Sequence, residues 1–460
     1  MSQPSKSKLR RHALAVATVS ILLAAPAFAA DRVNLSSLDP DRPVAGFVVA
    51  YKSGAPKALD FQRELSAAIG TLGQKNLTIK HAGPVSTGAE LIEVSRPLDV
   101  VEATTLMQQI AANPDVEYVE PNSIFQPILT PNDPSYPSQY GLHGAAGGIR
   151  ANTAWDNGYQ GQGKIIAVID TGITTHPDLA ANLTTPTGYD FITNVTTAND
   201  GSARDSNPAD PGDWCGTNPS SWHGTHVTGI AAGVTNNQVG VAGTAFRSKV
   251  LTARALGKCG GTLVDIADAI TWASGGTVVG VPAVGANKAV VINLSLGGGG
   301  TCSSTFQNAI NGAVQRGVTV VVAAGNSNAN AANFQPASCL NVITVGASTS
   351  AGGKASFSNW GTTSVVDVAA PGVGILSTLN TGTTTPGSPS YANYNGTSMA
   401  APFVAGVVAL MQSKPAPDEV PAVIERLIKA TARPFPVPPV PPQLIGTGIV
   451  NADAATDAMP

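Results

Sequence analysis

The sequence predicts an α/β fold with a mostly parallel central sheet, preceded by a small α+β unit. Two observations carry the first part. Lys164 to Ile169 (KIIAVI) is a continuous apolar run, and Ser248 to Ala253, Ala289 to Leu294, Val318 to Ala323 and Asn341 to Val345 repeat the pattern, as strands buried on both faces do. Helix-like segments, His223 to Ala232, Leu263 to Ser274 and Thr305 to Arg316, alternate with them. That order winds a parallel sheet, whose chemistry sits beyond the carboxyl ends of its strands. Gly275 to Gly285 reads as an extended loop between a helix and a strand, and Arg433 to Pro442 as a proline-rich loop.

The 460 residues begin with a stretch that reads as a secretory signal peptide, 1–29. Lys6, Lys8, Arg10 and Arg11 precede an apolar run from Ala13 to Ala25, and Ala27-Phe28-Ala29 fits a cleavage site. The run is short for a membrane span, which needs about 20 residues. Export is therefore expected, with no membrane attachment once the segment is removed.

Residues 30–128 form the α+β unit. Val44 to Tyr51, Ala89 to Val94 and Val116 to Val119 are strand-like, while Lys57 to Gly70 and Leu98 to Asn113 are helix-like. The order suggests a ferredoxin-like plait. A proline-rich joint around residues 127–134 reads as a linker and processing site, and 129–460 follows as one large domain.

The net charge of −3 argues against nucleic-acid binding, which leaves a basic footprint. Only 12% of residues are charged, about half the usual share. The scarcity is concentrated in 129–460, which holds 14 basic and 17 acidic residues. It marks where a core rich in small residues lies. Cys215, Cys259, Cys302 and Cys339 lack zinc-type spacing. In an exported chain they are expected as disulfides; of three possible pairings the sequential one, Cys215–Cys259 and Cys302–Cys339, is preferred.

Three polar positions stand at predicted strand or helix ends. Asp170 follows the first apolar run. His223 opens Ser221-Trp-His-Gly-Thr-His226. Ser398 sits in Asn395-Gly-Thr-Ser-Met-Ala-Ala-Pro402, ahead of an apolar helical run. Each alone has an ordinary reading: a turn acid, a structural histidine, a serine N-cap. Together they supply a nucleophile, a base and the acid that orients the base. Asp, His, Ser is the chain order of such triads in the subtilisin class.

The local words also match. Asp170-Thr-Gly172 with His176-Pro-Asp178, His223-Gly-Thr-His-Val227 and Gly396-Thr-Ser-Met-Ala-Ala-Pro402 resemble the aspartate, histidine and serine boxes of the subtilisin-like serine peptidases, including thermitase-like and secreted Gram-negative members. The resemblance spans about 130–455 and implies a subtilisin-like fold and a serine endopeptidase. It implies Asn326, in Val321-Val-Ala-Ala-Gly-Asn326, as an oxyanion donor with the Ser398 N–H. Ser295, Leu296 and Gly297 would pair with the substrate strand. Ala323, Ala324 and Gly325 would form the opposite wall of the pocket for the residue before the scissile bond, with its floor near Ser338 and Cys339. No acid lies in these stretches, so apolar or mixed side chains are expected there. Cys302–Cys339 would brace the surrounding loops. His226 is left a packing role.

The resemblance further implies a structural Ca²⁺ held by Asp133, Asp178, Val234, Asn237, Val239 and Val241, and no catalytic cofactor. Asp200, Asp205, Asp210 and Asp213 fit either a second calcium or a solvated loop. Residues 30–128, ending in Val116-Glu-Tyr-Val-Glu-Pro-Asn122, resemble the family's inhibitor-like propeptide. The expected product is a secreted, autoprocessed monomer acting on proteins and peptides, with its own propeptide as inhibitor. The rival readings are a peptide clamp that has lost catalysis and an exported surface-layer protein. The first should lack a catalytic residue, and composition alone does not generate three ordered motifs.

Overall fold

The computed structural model describes residues 32–35, 38, 43–53, 77–123, 129–414 and 417–460. The expected signal peptide, the helix over 57–70 and residues 127–128 of the linker lie outside the described residues. The chain divides into two compact units, Met1–Phe125 and Gln126–Pro460.

In the first unit, β1 (Val44–Tyr51), β2 (Ile79–Pro84), β3 (Glu90–Leu98) and β4 (Val116–Pro121) form an antiparallel sheet in the order β2-β3-β1-β4. Helix α1 (Val100–Ala111) starts at a capping box, in which Asp99 accepts from the Glu102 N–H and Glu102 reaches back. Phe47, Val49, Ile92, Leu106, Met107 and Val119 form its core. The strand order agrees with the expected plait. Strand β2 is the fourth strand that the plait requires but that the sequence did not locate: it is an edge strand with no fully buried residue, so no apolar run announces it.

The second unit contains β5 (Ile165–Asp170), β6 (Leu183–Asp190), β7 (Lys249–Arg254), β8 (Val291–Leu294), β9 (Gly298–Gly299), β10 (Thr319–Ala323), β11 (Phe334–Gln335), β12 (Ile343–Ser348), β13 (Val368–Pro371), β14 (Ile375–Asn380) and β15 (Pro389–Tyr394). Seven of them make a parallel sheet, β13-β12-β10-β8-β5-β7-β6. The five anticipated strands are all in it. The two missed ones are its edges. Strand β6 carries Pro186 and a register shift between Leu183 and Gly188, and β13 has only four residues. The apolar run of β6 is broken by its polar and proline residues, and that of β13 (VAAP) is bounded by Asp367 before it and a proline at its end.

The longer helices are α2 (His223–Ala232), α3 (Leu263–Ala273), α4 (Ser304–Gln315), α5 (Thr397–Gln412) and α6 (Pro421–Thr431). They cover both faces. Ile166 and Val168 of β5 join the core formed with α2 and α5, while Ala167 and Ile169 join that formed with α3 and α4. That two-sided burial is why β5 reads without alternation. Every residue of α5 except Ser398 is buried, the signature of a helix inside the core.

Strand order reverses beside β5, which has β7 on one side and β8 on the other. The carboxyl ends of β5, β8 and β10 are therefore neighbours at the switch point, where open α/β sheets place ligands. Leu410, fully buried in α5, should be costly to truncate: Leu410→Ala is expected to destabilise by about 2–5 kcal/mol. Thermal unfolding checks this, and an unchanged midpoint would contradict the central burial of α5.

Candidate active site

Asp170 is the last residue of β5 and is buried, with one carboxylate oxygen accepting from the Thr171 N–H at 2.7 Å. His223 Nδ1 lies 2.8 and 3.0 Å from the two Asp170 oxygens. A carboxylate only accepts, so Nδ1 carries the proton and Nε2 keeps its lone pair. Gly224 permits this approach, since a Cβ there would stand 2.2 Å from the Gly172 carbonyl.

The entry to α2 is held from several sides. Trp222 has φ +50°, an unusual left-handed conformation for a bulky residue. Its indole N–H donates to Gly382 O at 2.7 Å. Asp213 accepts from both the N–H and the hydroxyl of Ser221 at 2.6 Å, and the Tyr394 hydroxyl donates to Ser221 O at 3.0 Å. Burial disfavours the charged form of His223, but the Asp170 carboxylate, with Asp213 and Asp210 behind it, outweighs this and holds the imidazole above its ordinary value. Burial and Asp213 push the Asp210 carboxyl up to about 7. His226 is buried, stacks on Tyr394 at 4.5 Å and bonds Ala392 O at 3.0 Å; burial lowers it to about 4.

Ser398 is the second residue of α5. Among the described residues its backbone N–H makes no hydrogen bond, as expected in a first helical turn. Its hydroxyl donates to Ser295 O at 3.2 Å and forms no hydrogen bond with His223. Such catalytic bonds often tighten only around substrate. Asn326 Oδ1 accepts from the N–H and hydroxyl of Thr397 at 2.8 and 2.9 Å. The amide NH₂ is thereby directed away from Thr397. Asn359, buried, holds the Asn326 loop: its Oδ1 accepts from Ser327 and Ala329 N–H, and its Nδ2 donates to Ala324 O. Gly325, at φ +104°, has no room for a Cβ, which would lie 2.3 Å from Asn359 Nδ2.

Two adjoining hollows share the Ser295–Gly298 wall. One, of about 510 Å³, is lined by His223, Leu256, Leu263, Ile266, Leu296 and Phe306 among others. The other, of about 300 Å³, lies between Ser295–Gly299 and Ala323–Ser327 and reaches Thr397 and Ser398. No charged side chain lines it. Its lining includes Phe334, Gln335 and Ala337 rather than the expected Ser338 and Cys339. Strand β11 pairs with β9 and carries Phe334 and Gln335 across, while Cys339 turns into the α3/α4 core. The structure joins Cys215 to Cys259 and Cys302 to Cys339, each with Cα atoms 4.9 Å apart.

The expected calcium residues gather at one loop. Asp178 accepts from Asn237 Nδ2 at 2.7 Å and the Val241 N–H at 2.8 Å, and its carbonyl accepts from the Val234 N–H. Asp133 accepts from the Asn236 N–H at 2.9 Å, and the Val239 N–H donates to Asn237 Oδ1. Asp133 and Asp178 are buried, and neither pairs with a basic side chain among the described residues. Burial pushes the Asp178 carboxyl up, and Asp133 adds to it. Two buried, unbalanced carboxylates with amide and carbonyl oxygens nearby fit a hard cation. No group of three or more acidic, histidine or cysteine side chains is placed to hold a metal ion among the described residues. Of the four acids of 200–213, Asp200 meets Arg254 and shares the Ser202 hydroxyl with Asp205, Asp210 meets Thr171 and Asp213 meets Ser221.

Asn359 and Thr397 were not singled out from the sequence, and Asp213 was named only among the acids of 200–213, not as a partner of Ser221. Each sits in a loop or first turn where polar residues are common, and only their distant partners reveal them. The His223 environment predicts that its imidazole, followed by NMR, titrates above 6.5, the ordinary value. Asp213→Asn should move that titration to lower pH; no movement would remove Asp213 from the electrostatics of the site.

The peptidase S8 model, the subtilase family, matches residues 161–454. An extracellular protease of Xanthomonas campestris is 53% identical over 96% of this chain and 78% of its own length. An extracellular basic protease of Dichelobacter nodosus is 41% identical over 93% of this chain and 73% of its own length. A solved protease of Pseudoalteromonas arctica PAMC 21717 superposes with a TM-score of 0.68 at 49% identity, covering 72% of this chain and all of that one. With its sheet, its Asp–His pair and its serine at a helix start, the chain belongs to the subtilase family and is a subtilisin-like serine protease.

Proposed function

We propose that this protein is exported as a zymogen and hydrolyses peptide bonds in proteins through Asp170, His223 and Ser398. The observation that carries the reading is the Asp170–His223 pair at 2.8 Å, set across the same cleft wall as Ser398. An extended peptide lies along Ser295–Gly297 by strand addition, with an uncharged side chain in the hollow between that wall and Ala323–Gly325. Ser398 Oγ attacks the scissile carbonyl as His223 Nε2 takes its proton. Oxygen charge develops where the Ser398 N–H and Asn326 Nδ2 donate. His223, as a cation stabilised by Asp170, then protonates the leaving amine, and water repeats the sequence to release the acyl group.

Residues 30–128 act as an inhibitor-like propeptide, removed by the enzyme itself. Export is supported by the N-terminal segment, by the printed descriptions of both bacterial relatives as extracellular, and by two disulfides. No helix among the described residues is long and apolar enough to cross a membrane.

Asp133, Asp178, Asn237 and the carbonyls of Val234, Val239 and Val241 would hold a calcium ion. The ion would neutralise the two buried carboxylates and tie the segment around residue 133 to the loop 234–241. It supplies stability and takes no part in the chemistry.

Ser398→Ala should abolish hydrolysis and leave a full-length precursor on secretion; undiminished cleavage of a peptide anilide would overturn the assignment. Calcium at about 100 times its Kd should add about 2.7 kcal/mol of stability. EDTA is therefore expected to lower the unfolding temperature of the Ser398→Ala protein, and Asp178→Asn to remove that response.

A further inference from the structure

Pro402 stands in the second turn of α5. In an α-helix the carbonyl of residue 398 accepts from the N–H of residue 402, and proline has none. The residue that carries the proposed nucleophile thus loses its ordinary helical partner at its carbonyl. A side chain replaces it. Ser295 Oγ donates to Ser398 O at 2.7 Å, and Asn293 Nδ2 donates to Ser295 Oγ at 2.9 Å. Both come from the β8 segment, not from the helix.

Asn293 is fully buried, paired in the sheet with Val168 of β5 and Val321 of β10. Its Oδ1 has no hydrogen-bond partner among the described residues. A buried amide with an unpaired oxygen in the middle of a sheet disfavours the fold. Among the described residues its side chain makes one hydrogen bond, the link to Ser295.

Ser295 also begins the cleft wall, and its own carbonyl accepts from Ser398 Oγ. One residue therefore holds the nucleophile's peptide with its side chain while its main chain borders the substrate. We propose that Ser295, oriented by Asn293, is a positioning residue that sets the register between bound peptide and Ser398. Fixing the Ser398 carbonyl fixes the first turn of α5, and with it the direction of the Ser398 N–H and Cα–Cβ bond. An N–H at position 402 would tie that carbonyl to the helix alone; Pro402 releases it to the strand that carries the substrate. This inference rests on the acyl-transfer reading above.

The test uses the full chain carrying Ser295→Ala, Ser295→Thr, Pro402→Ala or Ser295→Ala with Pro402→Ala, processed where necessary by added parent enzyme. Hydrolysis of a peptide anilide gives kcat and KM, and a peptide boronic acid reports affinity for a tetrahedral adduct. Ser295→Ala should lower kcat by about ten- to a hundredfold with KM within about threefold, and weaken the boronic acid in proportion. Ser295→Thr should stay within about threefold of the parent. In the Pro402→Ala background, where residue 402 regains an N–H, the Ser295→Ala loss should shrink to less than about threefold. A Ser295→Ala kcat close to the parent's, an effect on KM alone, or the same loss in both backgrounds would overturn the inference. If Ser295→Ala is not secreted, the double variant decides: active protein supports the inference, and its absence too overturns it. Hydrolysis by Ser398→Ala would sink the acyl-transfer reading itself, whereas an inactive Ser398→Ala beside an unimpaired Ser295→Ala sinks only this inference.

Discussion

The burial of α5 against the centre of the sheet is the constraint on which the site depends. A helix covered on all sides can offer only an end to solvent, and Ser398 is its one uncovered residue. The orphan N–H groups and positive dipole end of that helix are thereby delivered to the carboxyl ends of β8 and β10. Small residues make the approach possible: a Cβ on Gly406 would stand 2.5 Å from Thr244 Cβ. Packing, more than any polar contact, decides where a hydroxyl meets a set of donors.

Electrostatics are organised around few charges, most of them deliberately placed. Arg254, at the end of β7, is fully buried and bonds Asp190, Asp200 and the carbonyl of Ala198. Arg204 pairs with Asp265 and Asp268. Buried ions of this kind are tolerated only when their partners are in place, and here they fasten the loop over residues 190–213 that also carries Asp210 and Asp213. The same loop therefore shapes the potential at His223. A catalytic unit with so little charge has few competing fields near its imidazole.

Much of this was legible in the residues. Apolar runs buried on both faces exposed the central strands, because a strand with core on either side has no solvent-facing position to betray by alternation. Edge strands β2, β6 and β13 stayed hidden, since half-exposed or proline-bearing segments lack that signal. The triad candidates and Asn326 were legible because their local words are long. Asn359, the hydroxyl of Ser295 and the hold of Asp213 on Ser221 were not, because polar residues in loops look alike until a partner is known.

The sequence by itself determined the alternation of strands and helices, the apolar character of α5, and the identity and order of Asp170, His223, Asn326 and Ser398. Tertiary structure alone decided which positions meet. Asp170 and His223 are 53 residues apart in the chain, and Ser295 and Ser398 are 103 apart. It likewise chose one pairing of four cysteines, drew the pocket lining from β11 instead of Cys339, and gave the acids of 200–213 their partners, Ser202 being shared by Asp200 and Asp205. The physical reason is common to all of these. Local patterns record how a segment must be buried, whereas a contact between distant segments depends on strand order and helix docking, which only the closed core enforces.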